Sequence, residues 1–220
     1  MCRSYLDRRT MWEALDSTIW RSLDYKLRAT TISKKQGDKI AKHLYRPLMP
    51  RLGATRTLPL TFRYAPRKFQ GLGRKHPYLE QGIHQVETVL THAKIGTTVG
   101  LLIRCKLQAA QIEVGIGTPI PEADFIKWGS HLTESWIKSV WEFCRRHQIK
   151  LEGRANMVPN DQRENNSTIM ETLAECSEVE PADLRRINRV RRSMKVMFLS
   201  DIASGDGTRI QKEALKGETD

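Results

Sequence analysis

The chain has 220 residues, of which 39% are hydrophobic and 28% are charged, and its formal net charge at pH 7 is +12. It has no apolar run of 18 residues and no signal-peptide core, so we expect an intracellular protein, cytoplasmic or nuclear, without a membrane span. Residues 1–110 carry a net charge of +14 and residues 111–220 a net charge of −2. This asymmetry indicates a polyanionic partner for the first half, and it favours nucleic acid over a membrane surface or a merely solvated basic face.

Residues 7–30 are predicted to form the first helix. Apolar side chains recur there at every fourth position and would form one buried stripe. The stripe comprises Met11, Leu15, Ile19, Leu23 and Leu27. Its aromatic neighbours, Trp12 and Trp20, are expected in the core rather than in a ligand site.

A second helix is predicted over residues 34–46, with Ser33 as its N-cap. Ile40 and Leu44 are expected on its apolar side, and Pro47 is expected to end it. The opposite side carries four cations within a narrow arc, Lys35, Lys39, Lys42 and Arg46. Because no acid lies in that arc to offset the mutual repulsion, the pattern indicates an anionic partner.

Residues 51–79 are punctuated by proline and glycine, and the sequence allows a short strand at "LPLTFRY", 58–64. The next stretch, "RYAPRKFQGLG", contains Gly71 and Gly73, which raises the question of a phosphate-binding loop. A dinucleotide loop would need a third glycine where His76 stands, and a P-loop would need a Gly-Lys-Ser/Thr triplet. We therefore predict that the two glycines permit a backbone turn with positive φ, exposing Arg67 and Lys68.

Helices are predicted at about 80–94, 98–113 and 131–147, and residues 115–124 form a loop that is the best hinge candidate. The polar stretch 152–167 is expected to be a mobile linker.

A short helix near 168–176 precedes a last helix that opens at Pro181 and extends to about residue 199. Arg191 falls within the apolar arc of that helix. We predict a structural or interface arginine there, because an unpaired buried charge would be costly. The acidic tail, 208–220, is expected to be disordered.

Four segments, taken in order, resemble the region that follows the polymerase palm in reverse transcriptases of eukaryotic non-LTR-type retroelements. "YKLRATTISKKQ", 25–36, resembles the thumb segment of that family, and "RYAPRKFQGLG", 63–73, resembles a later glycine-rich turn. "HLTESWIKSVWEF", 131–143, and "INRVRRSMKVMFLSDIASGDG", 187–207, resemble a helical segment after the thumb. The similarity touches most of residues 12–207, although Gln70 stands where the family often has glycine.

The resemblance implies a piece of an enzyme without its catalytic part. The family's palm uses a Tyr-x-Asp-Asp hairpin and a further Asp to hold two metal ions. No two Asp residues are adjacent anywhere in this chain. The resemblance thus places the palm and fingers upstream of Met1 and makes this chain a detached C-terminal region.

The fold class predicted is mainly α, a helical thumb-like bundle followed by a second helical segment, with at most short strands near 57–73. The predicted organisation is a basic thumb-like segment, a helical linker segment, a mobile linker, a C-terminal helical segment and a tail. These cover residues 1–79, 80–150, 151–167, 168–207 and 208–220.

Direct signs of catalysis are weak, and no catalytic residue, metal or cofactor is predicted. Four cysteines without a Cys-x-x-Cys pair indicate free thiols in a reducing compartment. His84 and His92 are better explained as surface or hydrogen-bonded histidines than as zinc ligands. Glu122 and Asp124 are interpreted as helix caps. A metal-dependent nuclease built on Asp201 and Asp206 remains an unfavoured third hypothesis.

Two functions are carried forward. The first is a non-catalytic module of a reverse transcriptase that grips the template–primer backbone, either an RNA/DNA hybrid or a duplex. The second is an α-helical protein-interaction domain whose basic half binds an acidic partner. The nucleic-acid-binding residues predicted are Arg28, Lys34, Lys35, Lys39, Lys42, Arg46, Arg67, Lys68, Arg74 and Lys75, with Gly71 and Gly73 forming the structural turn.

Overall fold

A computed structural model describes residues 7–93, 95–151, 167–204 and 208–211 of the chain. The described residues are mainly α-helical, which confirms the predicted fold class. Backbone pairing between extended segments is limited there to two isolated bridges, Thr168 with Phe198 and Ala203 with Ile210. The chain divides into two compact units, residues 1–88 and residues 89–220.

The first predicted helix exists, but a π-helical turn interrupts it. Helix α1, Arg8–Ala14, is followed by the π-helical segment Leu15–Trp20 and by α2, Arg21–Ala29. A π turn contains about one more residue than an α turn. After Leu15, the next side chain on the buried face is therefore five residues later rather than four. Trp20 is therefore buried, whereas the stripe predicted from a four-residue repeat placed Ile19 there.

Helix α3, Lys34–Leu48, begins with a capping box: the Ser33 hydroxyl accepts from the Gln36 amide, and the Gln36 side chain accepts from the Ser33 amide. Pro47 lies inside its last turn rather than ending it. The buried face consists of Gly37, Ala41, Tyr45 and Leu48. Ile40 is 38% exposed, so the prediction that it lies on the apolar side is wrong.

Gly37 is required for packing between α3 and the first turn of the next long helix. A Cβ at this position would lie 2.7 Å from Cβ of Tyr78 and 3.1 Å from its backbone nitrogen. The Tyr45 hydroxyl donates to the carbonyl oxygen of Lys75 at 2.7 Å, beside this contact. The inner face of α3 is thus fixed against the chain around residues 75–78.

No strand forms at residues 58–64, where the sequence allowed a short one. Residues 60–64 form the helical turn α4, Leu60–Tyr64, and Arg67–Phe69 form a 3-10 turn. This segment buries no apolar face of the kind a core strand would have, because Leu60 and Phe62 are more than half exposed and Arg63 is buried.

Helix α5 extends over Pro77–His92. Its residues up to Thr88 belong to the first unit, and residues 89–92 belong to the second. The Gln81 side chain accepts from the Ile32 amide and donates to its carbonyl, and the Gln85 side chain donates to the Thr30 carbonyl. These two buried amides hold α5 against the segment between α2 and α3.

The second unit contains α6, Thr98–Val114, α7, Phe125–Trp128, and α8, Trp136–Arg146, joined by loops that include the predicted one at 115–124. Asp124 caps α7, as the sequence indicated, by accepting from the Ile126 amide. Helices α9, Ile169–Glu175, and α10, Pro181–Ser193, complete the unit. The linker predicted at 152–167 lies almost wholly outside the described residues.

Helix α10 opens at Pro181 as predicted but ends at Ser193, short of residue 199. Arg191 is 3% exposed, and its guanidinium donates to the carbonyl oxygens of Ile112, Glu113 and Val196. The sequence-based prediction of a structural arginine at this position is confirmed.

Candidate nucleic-acid interface

The outer face of α3 carries a row of cations, which we call the α3 row: Lys35, Lys39, Lys42 and Arg46. All four are exposed, and no carboxylate among the described residues pairs with them. The one acid in the helix, Asp38, lies 3.0 Å from Nε2 of His76. The charge of the row is therefore not neutralised within the described part of the protein.

Two further cations that the sequence predicted as nucleic-acid contacts, one on α3 and one on α2, are also exposed. Lys34 opens α3, and Arg28 lies in the last turn of α2. Tyr25, also on α2, is 83% exposed. An exposed aromatic ring near cations can stack on a nucleic-acid base.

The prediction that both glycines of the turn adopt a positive φ holds at Gly73 and is wrong at Gly71. Gly73 has a φ of +60°, as predicted. Gly71 does not have a positive φ, but a Cβ there would overlap the carbonyl group of Ala65. The positive φ next to it belongs to Gln70, at +61°. Gly71 is thus needed for close backbone approach, and Gln70 adopts a conformation that glycine would accept more readily.

Backbone hydrogen bonds lock this turn onto α4. The amides of Leu72, Gly73 and Arg74 donate to the carbonyl oxygens of Phe62, Ala65 and Arg63, respectively. Arg67 and Lys68 are exposed, and Nζ of Lys68 lies 4.9 Å from the centre of the Phe69 ring, itself 68% exposed. The turn presents two cations and an aromatic ring together.

Arg74 is placed in the interior, with 5% exposure, and we leave it out of the interface. Its guanidinium stacks 3.9 Å from the Trp12 ring centre, pairs with Asp16 and donates to the Leu72 carbonyl. Burial lowers the pKa of Arg74, and the Asp16 carboxylate opposes that shift. A guanidinium with these partners positions the turn against α1.

Lys75 is half-buried and lies among acids. Its Nζ is 3.7 Å from Asp24 and 3.5 Å from Glu80. These contacts offset its charge, so Lys75 is a weaker candidate for a phosphate contact than the α3 row.

Around the predicted Arg67, the structure adds three arginines that sequence reasoning missed: Arg8, Arg9 and Arg21. An open cleft of about 770 Å³ is lined by the side chains of Arg8, Arg9, Trp12, Glu13, Asp16, Ser17, Arg21 and Arg67. Arg9 pairs with Glu13, and Asp16 pairs with Arg74, while no described carboxylate pairs with Arg8, Arg21 or Arg67. We call this the arginine cleft. Its members come from helix and turn, so no local pattern in the sequence marks them.

Among the residues that the sequence raised as possible catalytic groups, Asp201 makes structural hydrogen bonds and Cys144 is buried. Asp201 accepts from the backbone amides of Met197 and Phe198, and Asp206 lies outside the described residues. Burial raises the pKa of the Cys144 thiol to about 11, which disfavours the reactive thiolate. Cys105 and Cys176 are exposed thiols.

Comparisons of the chain with protein-family models, with curated proteins and with solved structures found no match. Within the described residues, no helix is both long enough and apolar enough to cross a bilayer.

Proposed function

We propose that the first unit is a non-catalytic nucleic-acid-binding module that grips the sugar–phosphate backbone. The observation that carries this proposal is the α3 row, four exposed cations without a carboxylate partner among the described residues. Placing four like charges on one helix face costs stability unless an anion offsets the repulsion. A phosphate backbone supplies that anion.

The spacing of the row suits successive phosphates. Side chains three or four residues apart on a helix lie about 5–6 Å from each other, and phosphates along one strand have a comparable spacing. Contacts of this kind position a protein on nucleic acid without reading its sequence. The module would therefore bind duplexes and hybrids of any sequence.

The arginine cleft and the turn at Arg67 and Lys68 extend the proposed surface. Arg8, Arg21 and Arg67 offer guanidinium groups that bind phosphate oxygens in pairs. Phe69 beside Lys68 offers a ring for an unpaired base. Backbone contacts from the helix and stacking from the turn would together hold a template–primer end.

The resemblance to retroelement reverse transcriptases gives this module its proposed context. The chain would be the thumb and the following helical region of an RNA-directed DNA polymerase whose palm and fingers lie on an upstream segment. Support comes from the helical character of residues 8–48 and from the glycine-rich turn that follows. The chain has no adjacent aspartates, so it lacks the carboxylate pair of the polymerase palm, as expected of the thumb region.

A second candidate is a protein-interaction domain that binds an acidic partner. The observation in its favour is the exposed apolar side chains of Leu60 and Phe62, which lie in the same turn region as Arg67. An acidic, partly apolar peptide would complement both features.

Fluorescence anisotropy separates the two functions. Labelled RNA/DNA hybrid, duplex DNA and an acidic peptide of equal charge are titrated with the full chain at several salt concentrations. We expect the nucleic acids to bind with little sequence preference and with a log K against log salt slope of about −0.9 per phosphate contact on duplex DNA. A slope near zero, or binding of the acidic peptide in preference to both nucleic acids, would refute the proposal.

A further inference from the structure

We propose that Asp24, Glu80 and His84 form a binding site for one divalent transition-metal cation, of the class of Zn²⁺ or Mn²⁺. Asp24 comes from α2, and Glu80 and His84 lie one turn apart on α5. The three ligand atoms lie within 4.8 Å of one another. This site stands independently of the nucleic-acid interface.

The separations fit a metal with little adjustment. His84 Nε2 lies 3.6 Å from Asp24 Oδ1 and 3.9 Å from Glu80 Oε2. Tetrahedral ligands about 2.1 Å from a metal are separated from each other by about 3.4 Å. Shifts of a few tenths of an ångström would bring His84 Nε2 to this separation from both carboxylates, whose ligand atoms lie within 4.8 Å of each other.

Two of the three ligand atoms lack a hydrogen-bond partner although they are buried. Asp24 Oδ1 and His84 Nε2 are both shielded from solvent and make no hydrogen bond. Leaving a buried acceptor unpaired costs free energy. Two such atoms facing each other across 3.6 Å indicate that a cation belongs between them.

The imidazole is held in the orientation that a metal ligand needs. The other ring nitrogen of His84, Nδ1, lies 3.2 Å from Glu87 Oε2. When that nitrogen carries the proton and donates to Glu87, the lone pair of Nε2 points at Asp24 and Glu80. This carboxylate–histidine–metal arrangement is the usual outer shell of metal-binding histidines. An imidazole among carboxylates also favours transition metals over Mg²⁺ and Ca²⁺.

Lys75 is the group that a metal would displace. Its ammonium lies 3.5 Å from Glu80 Oε2 and 3.7 Å from Asp24 Oδ2, both longer than a good hydrogen bond. The side chain is 40% exposed, so it can turn towards solvent. Asp24, Glu80 and Glu87 carry three negative charges against this one ammonium, and a divalent cation would balance them more closely.

The test is a Mn²⁺ titration of the full chain after treatment with EDTA, followed by electron paramagnetic resonance of the unbound ion. Mn²⁺ is chosen because cysteine side chains, such as those of exposed Cys105 and Cys176, favour softer metals. We expect one Mn²⁺ per chain. Asp24→Asn and His84→Gln should weaken binding at least tenfold, whereas His43→Gln, at an exposed histidine on α3, should bind like the wild type.

Equal Mn²⁺ affinity in His84→Gln and His43→Gln would overturn the proposal. If His84→Gln fails to fold in EDTA, as judged by circular dichroism, two milder variants decide. Glu87→Gln should weaken binding by about 10- to 100-fold through loss of the outer-shell carboxylate, and Lys75→Met should tighten it by removing the competing ammonium. Unchanged affinity in both variants would overturn the site.

Discussion

Nη2 of Arg191 lies 2.7 Å from the carbonyl oxygen of Ile112, in the last turn of α6. The same nitrogen is 2.8 Å from the Glu113 carbonyl, and the Asn188 amide donates to that carbonyl as well. Carbonyl groups at a helix C-terminus lack partners inside the helix and carry partial negative charge. A buried cation from α10 therefore caps α6.

The Arg191 cap makes a stability prediction with a matched control. Burial lowers the pKa of Arg191 to about 10, so the guanidinium remains charged at neutral pH. Arg191→Ala should reduce the free energy of unfolding by about 3 kcal/mol, because it leaves buried carbonyls without donors. Arg192→Ala removes only a half-exposed pair with Glu113 and should cost below about 1 kcal/mol. Equal melting temperatures for the two variants, measured by calorimetry, would refute the capping role.

At position 70, glycine should give a more stable protein than alanine, the reverse of their usual order in a helix. Its φ of +61° is unfavourable for any residue with a Cβ, by about 1–2 kcal/mol. We expect Gln70→Gly to be more stable than Gln70→Ala by about 1 kcal/mol in urea unfolding. At exposed Ala109 in α6, glycine should instead be less stable than alanine by about that amount. The same ranking at both positions would show that the turn is not strained.

His76 should make the first unit less stable in mild acid. Burial lowers the pKa of His76, while its partner Asp38 opposes the shift. The unfolded state then binds a proton more readily than the folded state, so stability is full above the unfolded pKa of about 6.5 and declines as the pH falls from there toward the lowered folded pKa. His76→Gln should flatten the decline between about pH 6.5 and 5, whereas His43→Gln should not.

His131 in the second unit needs its own control, because burial lowers its pKa too. Urea denaturation at each pH gives the free energy of unfolding of the wild type, His76→Gln and His131→Gln. Comparing them separates the contributions of His76 and His131 to the loss of stability in acid. A decline in stability unchanged by His76→Gln would contradict the assignment to that residue.

The sequence predicted those features that local chemistry determines. Ser33 was predicted as the N-cap of α3 from its position alone, and the α3 row follows from helical spacing. Arg191 was predicted because an arginine within an apolar arc must find partners.

Other features depend on contacts between distant residues. Arg74 was predicted as a phosphate contact, but its partners Asp16 and Trp12 lie about sixty positions earlier in the chain, and no local pattern joins them. The π turn at Leu15–Trp20 changes which side chains are buried, but it contains no proline or glycine from which the sequence could have predicted it. The arginine cleft requires a turn residue, Arg67, to lie beside α1.

The α3 row is the central claim, and charge reversal at Lys35, Lys39 and Lys42 tests it most directly. The matched control reverses three exposed lysines of the second unit, Lys106, Lys127 and Lys150. Each triple variant changes the net charge by the same amount. Lys138 is avoided because its ammonium pairs with Glu134 and the Leu132 carbonyl.

The measurement is fluorescence anisotropy with a labelled RNA/DNA hybrid across a range of salt concentrations. Reversal of the α3 row should lower affinity at least tenfold and reduce the magnitude of the salt slope by roughly 2–3 for three lost phosphate contacts. Its melting temperature should stay close to that of the wild type, because all three side chains are exposed. The control variant should retain most of the affinity and the slope. Equal losses in the two variants would show that bulk charge alone determines binding and would contradict the account.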